Sequence, residues 1–278
     1  MNANTLASPN RRRSLRELWR VSPKPLAKAE GLALRRSGPS LLVLCVLLAS
    51  HAQAQTPPDL SGAWAPYRGG RGGDPALNPP PPTPIVLKPL YAKPYETRRA
   101  AEDEATKKGE PLGTAAVQCV PYGFPRMMAV ALYPAEIIQR SSQITIITEA
   151  FSEVRRVYMN QPQLPIDEVP PGYYGHSVGK WDGNTLVIDT VGIKESVLGY
   201  QNTPHSTQMR ISERIRLVTP DLLHDQITVE DPVVLEKPFT YTLAYRRMPN
   251  YKMVEFVCEN NREYLDEKGA VKMKLRER

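Results

Sequence analysis

From residue 136 onward, hydrophobic and polar residues alternate along the chain with a period of two. Such alternation is typical of β-strands that bury one face and expose the other. The pattern predicts nine strands, at residues 136–140, 143–151, 154–159, 176–181, 185–191, 208–218, 222–231, 239–246 and 252–258. Short turns join most of them, and Asp182-Gly183-Asn184 is a strong hairpin signal. These features predict that consecutive strands pair antiparallel.

An earlier segment, residues 60–64, predicts one further strand. A meander of this length with one apolar face must close on itself or pack as two sheets, because an open edge invites association. We therefore predict an all-β fold, an antiparallel barrel of about 8 to 10 strands. The barrel would form a single domain over residues 55–278.

The chain before the strands has a different composition. Of the 28 prolines, 15 lie between residues 56 and 135, and glycines cluster at residues 69–73. Proline lacks the amide donor that a sheet needs, and glycine resists ordering. Residues 65–135 are therefore predicted to be an irregular Pro/Gly-rich segment that wraps the barrel. A short helix is expected at about residues 95–108, with acidic residues early and lysines at its end.

The first 54 residues predict export. They run from a basic region through an apolar stretch, residues 41–49, to Ala52-Gln53-Ala54, which is the order of a secretory signal peptide. We expect cleavage after Ala54 and a periplasmic or secreted protein, exported by either the Sec or the twin-arginine route. The apolar stretch is shorter than the roughly 20 residues of a transmembrane helix, so no membrane anchor is expected after cleavage.

The net positive charge of the chain lies in these first 54 residues. The 278 residues include 36 Lys+Arg and 29 Asp+Glu, a formal net charge of +7. Nine of the basic and two of the acidic residues lie in the first 54, so the remainder carries 27 charges of each sign. Nucleic-acid binding is therefore not expected, because the excess positive charge leaves with the signal peptide.

Two cysteines, Cys119 and Cys258, remain after cleavage. A disulfide between them is the expectation in an oxidising compartment, and two buried free thiols are the alternative. Neither cysteine has a Cys or His neighbour at ligand spacing, and the three histidines after residue 54 lack a zinc pattern. The sequence therefore predicts neither a metal site nor a cofactor.

Two patterns resemble known families. Gly62-Ala63-Trp64, placed before a meander, resembles the first-strand signature of the lipocalin and calycin barrels. The resemblance implies a lipocalin-like barrel in which Trp64 closes the bottom and stacks under a basic residue from a late strand, a role that falls to Arg262. Residues 175–190, GHSVGKWDGNTLVIDT, resemble the signature of a family of secreted bacterial proteins, from which no activity can be transferred.

Glu213 is the most informative candidate for chemistry. It shares one face of its strand with four apolar residues, and that face is expected to point into the barrel. An unpartnered carboxylate there would be costly. One hypothesis is a structural ion pair with an arginine such as Arg155 or Arg156. The other is a general acid/base with a raised pKa.

Two histidines are candidate partners for Glu213, since histidine titrates near neutral pH. His176 lies on the face of its strand opposite Trp181, so it points outward if Trp181 points inward, unless a bulge resets the alternation. His205 lies in a polar loop that we place at a barrel mouth. For both, a structural role is the alternative.

Three functions of different class are compatible with these features. The leading hypothesis is an exported barrel that binds a small hydrophobic or amphipathic molecule. Its candidate ligand-binding residues are Arg155, Arg126, Tyr173, Tyr174 and Trp181. One alternative is a cofactor-independent lyase, isomerase or hydrolase that uses Glu213 with His176 or His205. The other is an envelope structural protein whose barrel is filled, and the fold alone does not choose among them.

Overall fold

The computed structural model describes residues 56–67, 75–110, 112–113, 115–130, 133–258 and 263–273. The predicted signal peptide lies outside the described residues. The barrel strands are β1 (Gly62–Pro66), β2 (Ala135–Gln139), β3 (Gln143–Thr148), β4 (Glu153–Met159), β5 (His176–Asp182), β6 (Thr185–Val191), β7 (Arg210–Thr219), β8 (Leu222–Glu230) and β9 (Phe239–Arg247). The other strands and α-helices are α1 (Pro89–Lys107), α2 (Arg126–Ala129), β10 (Glu263–Leu265) and β11 (Val271–Met273). Short 3-10 helices lie at Pro75–Leu77, Ala115–Gln118, Ala150–Ser152, Ile166–Glu168 and Tyr200–Asn202.

Strands β1 to β9 form a closed barrel in chain order. The short first strand closes it, because Ala63 pairs with Glu136 of β2 and Ala65 pairs with Arg246 of β9, both antiparallel. The inward side chains of successive strands form one hydrophobic core. The all-β barrel predicted from the alternation is therefore confirmed, with each of the nine strands at a position that the sequence indicated.

One pair of neighbouring strands departs from the predicted antiparallel pattern. β4 and β5 run parallel, with Val157 beside Ser177 and Met159 beside Gly179. A parallel pair needs a crossover connection rather than a tight hairpin. Residues 160–175 provide it, and their four prolines keep this long connection out of the sheet.

The strand predicted at residues 252–258 is wrong. Residues 251–258 have no regular secondary structure, and the following β10 and β11 pair with each other in a separate sheet. The reason is topological: β1 already occupies the free edge of β9, so the closed barrel offers no edge to a further strand. A disulfide joins Cys258 in this segment to Cys119, with 5.6 Å between the Cα atoms, as the sequence led us to expect.

Helix α1 begins six residues earlier than predicted. Proline suits the first turn of a helix, and the observed helix starts at Pro89 and continues through Pro94. None of its residues is buried. Among the described residues, no helix is both long enough and apolar enough to cross a membrane.

Residues 122–129, which include α2 and are called the plug segment, fill part of the barrel interior. Phe124 is fully buried, and its ring lies 3.6 Å from the guanidinium carbon of Arg155 on the inner wall. Met127 and Met128 are also buried in the core. The plug segment thus occupies space that a lipocalin-like barrel of this size leaves open for a ligand.

Trp64 lies under an arginine side chain, but not under the one that the sequence led us to expect. Arg247 of β9 lies over its ring at 4.2 Å and donates through Nη1 to the carbonyl of Ser61. The indole nitrogen of Trp64 donates to the carbonyl of Leu60 at 2.9 Å. Arg262, to which the sequence assigned this role, lies outside the described residues.

Candidate functional site

An arginine–glutamate pair lies inside the barrel. Arg155 of β4 and Glu213 of β7 both have fully buried side chains. Nη1 of the arginine donates to Oε1 of the glutamate at 2.8 Å, and Nη2 donates to Oε2. Nε and Nη2 also donate to the hydroxyls of Ser177 and Thr190, at 3.2 and 3.0 Å. The two hydrogen bonds to the carboxylate and the two to the hydroxyls offset the cost of removing both charges from water.

A second carboxyl group, Asp225 of β8, faces the same interior without such support. It is fully buried, and neither of its oxygens has a hydrogen-bond partner among the described residues. Burial raises the pKa of Asp225 well above its ordinary value of 3.8, and the negative charge of Glu213 raises it further while Arg155 opposes the shift. Asp225 therefore keeps its proton to a higher pH than an ordinary aspartate does.

Two tyrosines of β9 complete this interior cluster. Tyr245 donates its hydroxyl to the carbonyl of Met128 in the plug segment. The hydroxyl of Tyr241 is buried and has no hydrogen-bond partner in the described part of the chain. Burial, followed by the nearby charges of Asp225 and Glu213, raises the pKa of both phenols well above 10.0.

A pocket of about 280 Å³ lies where the plug segment meets the loop of residues 199–202, and we call it the mouth pocket. Tyr241 belongs to its wall, and the ring of Tyr200 stacks on that of Tyr241 with centroids 3.9 Å apart. Other lining residues are Tyr122, Pro125, Arg126, Ala129, Val130, Gln201 and Asn202. The mouth pocket therefore adjoins the interior cluster through Tyr241.

Arg126 is the charged residue in the wall of the mouth pocket. It donates to Oδ1 of Asn202 at 2.5 Å, and its guanidinium carbon lies 5.4 Å from the ring centroid of Tyr122. It forms no ion pair with a described carboxylate. Burial lowers the pKa of Arg126, and the positive charge of Arg98 adds to that effect, whereas Tyr122 and the carboxylate of Glu102 oppose it.

Deeper in the barrel, the side chains leave little free space. A cavity of about 10 Å³ lies between Met128 of the plug segment and Trp64, which is room for about one water molecule. Its wall is apolar apart from Asp225 and Tyr245. The described residues fill the lumen at this level, so the space that the barrel interior leaves for an organic ligand lies nearer its mouth.

The structure does not bring the two candidate histidines to Glu213. His176 hydrogen-bonds through Nδ1 to Oε1 of Gln163 at 2.8 Å and stacks on Tyr158, outside the barrel interior. The ring nitrogens of His205 lie 2.7 and 3.0 Å from the carbonyls of Val197 and Ser206. Both imidazoles are thus engaged by neighbours other than the buried glutamate.

The candidate aromatic residues are spread over the molecule. Tyr173, Tyr174 and Trp181 are each partly buried and pack against the core, away from the lining of the mouth pocket. Burial and the charge of Glu153 raise the pKa of Tyr174 to about 12.

Glu153 also holds the start of the plug segment, because its carboxylate accepts hydrogen bonds from the backbone N–H groups of residues 122 and 123.

Sequence reasoning missed Asp225 and Tyr241 as interior polar residues. The signal was present for both: Asp225 alternates with Leu223 and Ile227, and Tyr241 with Phe239, in strands whose apolar face points inward. The same alternation that placed Glu213 inside the barrel therefore applies to them. The position of Arg126 had no such signal, because the proline-rich segment that carries it has no regular period.

The comparisons with known proteins add little to this geometry. No family model matches the chain, and no curated protein matches it. Among solved structures, the chain is similar to one described as "REP1-NXSQ fatty acid transporter", at 13% identity and a TM-score of 0.32. The match covers 69% of this chain and 98% of that one. A superposition this weak says nothing about what the present barrel binds.

Proposed function

We propose that this protein is an exported β-barrel that binds a small amphipathic molecule in the mouth pocket. The ligand has an apolar body and an anionic head group such as a carboxylate. The observation that carries the proposal is Arg126, a half-buried cation in the pocket wall that forms no direct ion pair with a carboxylate among the described residues.

The charge around Arg126 favours an anion. Arg98 and Arg99 of α1 lie on the same side of the molecule and share one carboxylate, Glu102, at 2.9 and 3.4 Å. Glu102 in turn accepts a hydrogen bond from Asn202, the residue that Arg126 holds. Three arginines thus surround one acidic group, and an anionic head group would offset the desolvation of the most buried of them.

The rest of the mouth pocket favours an apolar body. Its volume of about 280 Å³ is close to the lower end of the range for ligand pockets, about 300 Å³. The rings of Tyr200 and Tyr241 and the apolar side chains of Pro125, Ala129 and Val130 form most of its wall. Aromatic walls with one well-placed polar anchor are typical of small-molecule sites.

In this arrangement the ligand lies at the mouth of the barrel rather than at its centre. The plug segment and the 10 Å³ cavity behind it leave the lumen to protein, whereas the mouth pocket lies between the plug segment and residues 199–202. Export remains part of the proposal. It is supported by the order of the first 54 residues and by the Cys119–Cys258 disulfide, since disulfides persist in oxidising compartments.

Calorimetric titration with octanoate and with octanol tests the proposal. The two probes have eight carbons each and differ in the charge of the head group. We expect octanoate to bind at least about tenfold more tightly, and Arg126→Gln to remove that preference, because a charge-assisted contact contributes about 1.4 kcal/mol or more. Arg140→Gln is the matched control, since Arg140 carries the same charge but is exposed and does not line the mouth pocket.

Two results would contradict the proposal. Equal affinity for octanoate and octanol would show that Arg126 does not receive a head group. An unchanged octanoate affinity in Arg126→Gln, with the fold verified by circular dichroism, would place any binding outside the mouth pocket.

A further inference from the structure

A second pocket lies on the outer surface of the barrel wall, and we call it the arginine groove. It has a volume of about 330 Å³ and crosses strands β6 to β9. Its floor consists of the outward side chains of Thr185, Arg214, Arg216, His224, Gln226 and Thr242. Pro80 of the proline-rich segment lies above it.

The strand register places the polar side chains of the floor in two adjacent rows. Arg214 pairs with Gln226, which pairs with Thr242, and one step along the strands Arg216 pairs with His224. Alternate residues of a strand share a face and lie about 7 Å apart. The two guanidinium groups therefore rise from one face of β7 and border the same space.

The charge of the groove is one-sided. None of its lining residues is acidic. Arg214 pairs with Asp182 at 3.0 Å, but both side chains are about half exposed, so this contact is weak. Arg216 has no acidic partner among the described residues. Two cations thus border a concave space, and Asp182, which does not line it, is the one carboxylate among the described residues that pairs with either of them.

The roof of the groove is fixed to the barrel. Nε2 of the buried His224 lies 3.0 Å from the carbonyl of Leu77. The backbone N–H of Thr83 donates to the carbonyl of Thr240 at 2.8 Å, and the backbone N–H of Thr240 donates to the hydroxyl of Thr83 at 2.7 Å. The proline-rich segment is thereby held at two points on either side of Pro80, so the groove has a fixed shape rather than that of an open sheet face.

We propose that the arginine groove is a binding site for a small organic phosphate. The two arginine side chains would bind the phosphate oxygens, for which the forked guanidinium is well suited. The amide of Gln226 and the hydroxyls of Thr185 and Thr242 would contact hydroxyl groups of the organic part. The groove is separate from the mouth pocket, and this inference does not rest on the function proposed there.

Arg210 shows how the groove differs from an ordinary charged surface. It faces outward on the same strand as Arg214 and Arg216, and it also has a partial ion pair, with Asp189 at 3.6 Å. It does not line the groove. Arg210 therefore provides a matched control, with the same charge, strand and face but without the concave site.

The test uses the purified protein and inorganic phosphate, followed by calorimetric titration and by the phosphorus NMR linewidth at low ionic strength. We expect saturable binding that chloride at equal ionic strength does not mimic. Arg214→Gln/Arg216→Gln should weaken the affinity at least about tenfold, and Arg210→Gln should leave it within about twofold. The variant Arg214→Lys/Arg216→Lys should retain an intermediate affinity, because it keeps both charges and loses the forked guanidinium geometry.

Other outcomes overturn the inference. If Arg210→Gln weakens phosphate binding as much as the double variant does, the effect is one of general surface charge. The same conclusion follows if chloride competes as well as phosphate. A second arm compares glycerol phosphate with vesicles that contain phosphatidic acid. Binding to the free compound identifies a soluble phosphate ester, whereas binding to vesicles alone would replace the small ligand with a lipid surface.

Discussion

Glu213 and Asp225 lie on neighbouring strands of one barrel wall and face the same interior, yet their surroundings differ. Glu213 has a bidentate arginine, whose remaining donors reach two hydroxyls. Asp225 has no hydrogen-bond partner among the described residues, and the hydroxyl of Tyr241 in the same cluster also lacks one. Both carboxyl groups are fully buried.

Burial alone does not set the protonation state of a carboxyl group inside the barrel. What differs is the number of donors aimed at each group, because a buried charge is tolerated only where donors replace water. Arg155 serves Glu213, and the neighbouring negative charge then works against ionisation of Asp225. One buried cation thus stabilises one carboxylate and leaves the second to hold its proton.

Breaking the satisfied pair should have the largest effect. Glu213→Gln leaves the guanidinium of Arg155 buried without its counter-ion, and we expect the free energy of unfolding to fall by about 3–5 kcal/mol. Urea unfolding followed by circular dichroism measures this loss. The double variant Arg155→Met/Glu213→Leu should be more stable than the single one, because it leaves no unpaired charge. A loss below about 0.5 kcal/mol in Glu213→Gln would contradict this account.

Asp225 should make the free energy of unfolding depend on pH. The unfolded chain releases this proton near the ordinary pKa of 3.8, whereas the raised pKa keeps it bound in the folded protein. The stabilising contribution is therefore complete below that pH and is lost as pH rises toward the folded pKa. The slope from this group is a loss of about 1.4 kcal/mol per pH unit.

Asp225→Asn should remove that slope from the free energy of unfolding measured by urea titration from pH 4 upward. Asp221→Asn is the matched control, since Asp221 lies in the turn that precedes β8 and is exposed. If wild type and Asp225→Asn show parallel pH profiles, Asp225 does not hold its proton in the folded state.

The sequence could predict those features of the fold that depend on local alternation, but not those that depend on the whole barrel. The period of two located the barrel strands and put Glu213 inside, because alternation depends only on local pattern. It could not reveal that β4 and β5 run parallel, since pairing across residues 160–175 is set by the whole barrel. It also failed at residues 252–258, where an alternating segment meets a barrel that β1 has already closed.

The candidate site was predicted less completely than the fold, for a related reason. Alternation placed Glu213 inside, and it would equally have placed Asp225 inside. The sequence offered either Arg155 or Arg156 as the partner of Glu213, and the structure pairs it with Arg155. Arg126 and Phe124, however, enter the site on the plug segment, whose proline-rich sequence has no period to interpret. Their positions depend on long-range contacts such as Glu153 with the backbone of residue 123, which pattern alone does not encode.

The smallest expected effect on the free energy of unfolding comes from the two interior tyrosines of β9. They differ as the two carboxyl groups do, because one hydroxyl is hydrogen-bonded and the other has no partner among the described residues. Tyr245→Phe removes the hydrogen bond to the Met128 carbonyl and should lower the free energy of unfolding by about 1 kcal/mol. Tyr241→Phe removes a buried hydroxyl that has no partner among the described residues, so it should be neutral or stabilising. Urea unfolding of the two variants in parallel measures the difference, because both lose one oxygen from the same strand.

A larger loss in Tyr241→Phe than in Tyr245→Phe would reverse this account. It would mean that the Tyr241 hydroxyl has a partner in solution, and an ordered water beside Asp225 is the simplest one, because a buried water needs two to four polar groups around it. Repeating the measurement with Tyr241→Phe/Asp225→Asn separates the cases. If the two groups share a water, their effects will not add, whereas independent unsatisfied groups will give additive changes within about 0.5 kcal/mol.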